Sequence, residues 1–190
     1  MNNPLEILTT FDEHLEQRTE LTLFGRSALA LGFPNPDPMY QATHDVDAIL
    51  PNYQVETLQN EPSFWLAQEI TNQQLRSKDL YVTHLFSEMD IIIRPDWVDY
   101  RIAIPLSFKR LLIYRPAVID LVLTKMMRGD TDDLADIRFL LRQERVPASA
   151  LEAAFAAARV PDLAEIRDIF RKAQPNVLAI VQELEHGYKP

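Results

Sequence analysis

An α+β fold with a helical C-terminal portion is what this sequence predicts, and three observations predict it. Up to residue 115, short apolar runs of strand length alternate with stretches whose apolar residues recur at helical spacing. From residue 116 onward only the helical spacing remains. The chain has 190 residues, of which 47% are hydrophobic and 25% charged, so it can bury a core without disulfides or structural metal. The expected organisation is therefore an α+β core over 1–115 and a helical portion over 116–190 packed on it.

The elements follow in order. Pro4 to about Arg18 sets Leu5, Leu8, Phe11 and Leu15 on one helical face. Glu20 to Phe24 alternates Leu21 and Leu23 and ends at Gly25, the pattern of a short buried strand. Ser27 to Phe33 is helix-prone with Ser27 near its start, and Pro34 to Pro38 must be loop. Asp45 to Leu50 reads as a strand stopped by Pro51, and Pro62 to Leu75 as a helix with proline in its first turn. Leu80–Phe86, Met89–Arg94, Val98–Leu106 and Leu111–Tyr114 are strand-like runs separated by turn material. Helices are then expected over Pro116–Arg128, closed by Gly129 as its C-terminal stop, and over Thr131–Gln143. Two more follow, over Pro147–Arg159 and over Pro161–Glu185, the last interrupted at Pro175.

Composition excludes several chemistries. With no cysteine there is no thiol nucleophile, zinc ribbon or iron–sulfur cluster. No apolar run reaches the roughly 18–20 residues that span a bilayer, and the first residues lack a basic signal-peptide start. A cytoplasmic protein with no membrane partner is expected. The net charge of −9 argues against a chain wholly devoted to coating nucleic acid. That charge is uneven: residues 1–100 hold 5 Lys and Arg against 16 Asp and Glu, residues 101–190 hold 14 against 12. Glycine is scarce, 4 against 13 prolines, so Gly25 and Gly129 are expected where the backbone demands them.

The stretch that carries chemistry is Gly25-Arg26-Ser27 followed, after 17 intervening residues, by Asp45-Val46-Asp47. Residues i and i+2 of a strand project from one face, so Asp45 and Asp47 stand side by side. Two like charges so placed suit a hard cation such as Mg²⁺, which takes one or two carboxylates and fills its remaining positions with water and phosphate oxygens. A glycine at the strand end lets the chain turn into a helix whose first amides, with the Ser27 hydroxyl, hold phosphate. Taken alone, the acid pair reads equally well as two solvated residues at a strand edge.

Together, Leu21–Leu31 (LTLFGRSALAL) and Thr43–Leu50 (THDVDAIL) resemble the nucleotidyltransferase superfamily with the polymerase-β-like fold, a small mixed sheet flanked by helices. In that family a Gly-Ser element ends one strand and an Asp-x-Asp pair on the next binds Mg²⁺. The resemblance implies a third carboxylate, here Asp90 in Ser87–Ile93, acting on the acceptor or at a second metal of a two-metal site. Arg26 departs from the small residue usual there, and the proline-rich segment before Thr43 lengthens the spacing.

A second segment narrows the likeness. Asp120 to Asp136, with Lys125, Arg128, Asp133 and Asp136, resembles the helix–turn–helix element of minimal bacterial nucleotidyltransferases, including the type IV toxins of abortive-infection systems. That resemblance implies Lys125 and Arg128 on the triphosphate of an NTP, with Asp133 and Asp136 as supporting network. It also implies an RNA or protein acceptor, a toxin of a toxin–antitoxin system and a cognate antitoxin partner. The residues by themselves allow another reading. Lys125 and Arg128 share a side of one helix, Asp133 and Asp136 a side of the next, so the four can form an ion-pair network with no catalytic purpose.

Weaker features are His44, read as a surface residue beside Asp45, and Trp65 and Trp97, read as core. Arg101, Lys109, Arg110 and Arg115 form a basic group for RNA or nucleotide phosphate, or a solvated face. The function expected is Mg²⁺-dependent transfer of a nucleotidyl group from an NTP to a hydroxyl. The rivals are a catalytically silent binding protein of the same fold and a phosphohydrolase using the same acids.

Overall fold

The structure, a computed structural model, describes residues 2–187, and it is an α+β fold as expected. The chain divides into two compact units, residues 1–88 with 101–115, and residues 89–100 with those from 116 onward. No helix among the described residues is long and apolar enough to cross a membrane.

The first unit is built on a five-stranded mixed sheet. Its strands are β1 (Thr19–Phe24), β2 (Asp45–Leu50), β3 (Tyr81–Ser87), β4 (Ile102–Ala103) and β5 (Leu111–Arg115), in the spatial order β3-β2-β1-β5-β4. β1 runs antiparallel to β2 and parallel to β5, while β2 and β3 are parallel. Leu21, Leu23, Val46, Ala48 and Ile113 are buried in the core of this unit. Helices α1 (Asn3–His14), α2 (Gly25–Leu31) and α5 (Pro62–Leu75) pack on the sheet, and Phe11 meets Phe64 edge-on at 5.5 Å. Asp12 of α1 accepts the backbone N–H groups of Lys109, Arg110 and Leu111, which ties α1 to the start of β5.

Two short helices were not expected. α3 (Pro38–Gln41) begins at the last proline of the loop, where the Asp37 side chain accepts from the Met39 amide. α4 (Asn52–Gln59) begins directly after Pro51. A proline that stops a strand can also open a helix, because its missing N–H is one that a first turn leaves unbonded.

In the second unit α6 (Val118–Lys125), α7 (Thr131–Gln143), α8 (Ala148–Ala157) and α9 (Ala164–Gly187) surround Leu121, Val122, Ile137, Leu140, Leu151, Val177 and Val181. α6 ends at Lys125, earlier than the expected Arg128, and Gly129 then takes φ +63° close to Ala173 of α9. α9 runs unbroken through Pro175, contrary to expectation. Phe170, Ala173, Val177, Ile180 and Val181 bury one stripe along it, and that packing outweighs the backbone bond the proline removes.

The strand expected over Met89–Arg94 is not formed. Ile91, Ile92 and Ile93 are buried, but only Ile93 makes a bridge, to Arg159. The run is held instead by Arg94, whose guanidinium meets the fully buried Asp120 at 2.9 and 2.7 Å. Likewise the run Val98–Leu106 gives a 3₁₀ turn over Trp97–Tyr100 and only the two-residue β4.

Candidate functional site

Gly25 is the pivot of the first unit. β1 ends at Phe24, and α2 starts at Gly25 itself rather than at Ser27 as expected. Gly25 has φ +63°, a region costly to any residue with a Cβ. A Cβ built there would lie 3.5 Å from Oδ2 of Asp47. The register explains the approach, since Phe24 is the cross-strand partner of Asp47. The glycine turn and the second acid of the Asp-x-Asp pair are therefore neighbours.

Along β2 burial alternates as the strand period requires. Asp45 and Asp47 are partly exposed, and Val46 between them is fully buried. Each acid is oriented by a threonine. Thr43 Oγ1 donates to Asp45 Oδ1 at 2.8 Å, and Thr83 Oγ1 donates to Asp47 Oδ1 at 2.6 Å. The β2–β3 register shifts between Val46 and Ala48, at Asp47, the kind of irregularity that re-aims a side chain. Thr83 was not foreseen from the sequence. The one signal available was its place in the alternation of β3, and its partner lies 36 residues away. His44 pairs with Asp79 at 3.2 Å on the surface, as a flanking residue.

Ser27 sits in the first turn of α2 and is 2% exposed; its hydroxyl donates to the Phe24 carbonyl at 3.0 Å. That bond braces the turn. Arg26 follows Gly25 in the same turn, partly exposed.

The second unit gathers the other predicted residues. Lys125 Nζ meets Asp136 Oδ2 at 2.5 Å and Asp133 Oδ1 at 3.4 Å, with both acids and the lysine buried. Arg128 reaches Asp133 with Nε at 3.1 Å and Nη2 at 2.9 Å. The bond to Asp133 raises the Arg128 pKa against the opposing effect of burial. Asp130 caps α7 by accepting from the Asp133 amide, and that bond lowers its pKa. Lys125, Arg128, Asp133 and Asp136 thus form one ion-pair network joining α6 to α7. Asp90 lies on an exposed turn, not on a strand, and makes no hydrogen bond or ion pair among the described residues.

Of the expected basic group, three guanidinium groups are engaged within the fold, Arg110 donating from Nε to the Glu16 carbonyl at 3.3 Å. The amides of Lys109 and Arg110 bind Asp12, and Arg115 is buried with Nε donating to the Gly32 carbonyl at 3.0 Å. Arg101 lies over the Tyr114 ring at 4.7 Å and donates to Thr22 Oγ1 at 3.2 Å. Trp97 is fully buried as expected, whereas Trp65 is 39% exposed with its indole N–H on the Leu58 carbonyl.

Among the described residues no group of three or more His, Asp or Glu side chains is gathered to hold a metal. What the first unit offers a cation is a pair of carboxylates, each with one oxygen held by a threonine. That donor set fits a hard ion such as Mg²⁺, which needs only one or two protein carboxylates.

Compared with known proteins, residues 5–165 match the model of a family described as "Nucleotidyltransferase of unknown function (DUF6036)". No curated protein and no solved structure matches the chain.

Proposed function

The chain belongs to this nucleotidyltransferase family, and on that premise we propose that it transfers a nucleotidyl group from an NTP to a hydroxyl acceptor in the presence of Mg²⁺. The observation that carries the reading is the placement of Asp47 Oδ2 beside Gly25, with Asp45 on the same side of β2. Asp45 and Asp47 are the residues that hold Mg²⁺, in the manner of the polymerase-β-like fold. When bound, Mg²⁺ neutralises the triphosphate and the charge that develops during transfer.

The chain's own residues prepare that step. Thr43 and Thr83 fix one oxygen of each acid and leave the pair's direction set before substrate arrives. Gly25 keeps the approach to Asp47 clear, and the amides at the start of α2 face the phosphates. The acceptor oxygen forms a bond to the α-phosphorus, the bond from that phosphorus to the β-phosphate oxygen breaks, and pyrophosphate leaves. The hydroxyl proton passes to solvent water. Lys125 is assigned to holding α6 and α7 together, because its charge is already matched by two buried carboxylates. The acceptor is RNA or protein, and the biological role is that of a toxin countered by a cognate antitoxin.

A second reading, a silent nucleotide-binding protein, is favoured by one observation: the Ser27 hydroxyl is spent on the Phe24 carbonyl rather than left for phosphate. One experiment separates the readings. The protein is incubated with each α-labelled NTP, Mg²⁺ and total tRNA or its own purified chain. Label in a macromolecule with release of pyrophosphate is expected. Bound but unreacted NTP supports the silent reading, and free labelled nucleotide supports hydrolysis.

A further inference from the structure

The second unit contains a cavity of about 360 Å³ at the C-terminal ends of α7 and α9. Its walls are Leu141, Val146, Val181 and Leu184, the first three buried. Its mouth carries Arg142, Arg145 and Glu185. Two observations bear on what this cavity binds.

The first concerns charge. Arg94, Arg128, Arg138, Arg167 and Arg171 each pair with a carboxylate. Arg142 and Arg145 pair with nothing among the described residues. Both stand at the mouth of the same cavity, in a chain of net charge −9. The second concerns shape. Apolar walls closed by a few charged groups are the make-up of a small-molecule site, and the volume falls in the range such sites occupy, about 300–1,000 Å³.

We propose that this cavity binds an amphiphilic monoanion: a carboxylate on an unbranched apolar body, of the class of medium-chain fatty acids. The apolar chain fills the space between Leu141, Val181 and Leu184. The carboxylate meets the two guanidinium groups, whose planar donors suit it in bidentate fashion. Glu185 opposes one of the two positive charges, so a single negative charge is matched and a dianion is disfavoured. No aromatic side chain lines the cavity, which speaks against a nucleobase. The site uses none of the residues assigned to nucleotidyl transfer, so the two proposals stand or fall separately.

The test is calorimetric titration of the full chain with octanoate, alongside octanol and octylamine. Saturable binding of octanoate at one site is expected, with the alcohol and the amine at least ten-fold weaker. Arg142→Ala/Arg145→Ala weakens octanoate ten-fold or more and leaves the melting temperature without ligand in place. Glu185→Gln tightens it several-fold, and Val181→Phe, which fills the space, abolishes it. Asp45→Ala/Asp47→Ala leaves it unchanged. Absence of saturable octanoate binding, equal binding of octylamine, or binding indifferent to the double arginine substitution overturns the proposal.

Discussion

Asp47 has two tasks in this structure, one toward Thr83 and one toward Gly25, and they explain why the acid is not a generic surface carboxylate. Thr83 holds Oδ1 at 2.6 Å, which leaves the direction of Oδ2 fixed beside the glycine turn. A ligand's supporting partner typically contributes 10–100-fold to metal affinity. Thr83→Val keeps the shape and removes the donor. It is expected to weaken Mg²⁺ binding about ten-fold or more, measured by Mg²⁺ titration in the presence of NTP, with the melting temperature nearly unchanged. Thr83→Ser should restore most of the affinity. Equal affinity in the valine variant would show that Thr83 does not orient the acid. This residue was illegible in the sequence because its role is a cross-strand contact set by an irregular β2–β3 register, which no spacing rule reports.

Asp45 and Gly25 were legible for the opposite reason. Their meaning lies in local chain geometry: a period of two on a strand, and a positive φ at a strand end. Among elements the same division holds. β1, β2, β5, α5 and α7 lie where periodicity and punctuation put them, since each is bounded by proline, glycine or a capping acid. The run Met89–Arg94 misled, because three consecutive isoleucines look alike whether a ladder or a packed irregular segment buries them. What decides is Arg94 with Asp120, a pair 26 residues apart. α9 misled in the other sense, with its stripe of buried residues carrying the helix past Pro175.

The pairing of α6 with α7 yields the clearest prediction at this scale. Lys125 stands between two buried carboxylates, Asp133 and Asp136. Lys125→Met would leave both acids buried with one fewer cation. Removing one member of a buried ionic group typically costs about 3–5 kcal/mol. A loss of that order in urea unfolding is expected. A loss below about 1 kcal/mol, with transfer activity abolished, would instead give the lysine to the triphosphate.

For the whole molecule, Asp12 links stability to pH. Burial opposes its charge, but three backbone N–H groups from Lys109, Arg110 and Leu111 outweigh that and hold its pKa below the ordinary value of 3.8. Stability from this group is fully present at neutral pH and is lost as the pH falls through the lowered folded value. Asp12→Asn is therefore expected to be less stable at pH 7, by about 2 kcal/mol. The gap to the unsubstituted chain should narrow as the pH is taken from about 5 toward 2. A constant gap across that range would contradict the assignment. The uneven charge of the sequence also takes on definite form at this scale. The acid-rich half supplies Asp12 to a backbone anchor and Asp45 with Asp47 to the candidate metal pair, while six basic residues of the other half, Arg101, Lys125, Arg128, Arg138, Arg167 and Arg171, stand in ion pairs.

The proposed function requires Asp45 and Asp47 to hold jointly the cation on which nucleotide binding depends. The most direct measurement is calorimetric titration of NTP into the full chain with and without Mg²⁺, repeated with Asp45→Ala/Asp47→Ala. Binding that requires Mg²⁺ is expected, and its loss in the double variant, whose fold is verified by an unchanged circular dichroism spectrum. Nucleotide binding that is independent of Mg²⁺, or that survives in the double variant, would contradict the proposed function.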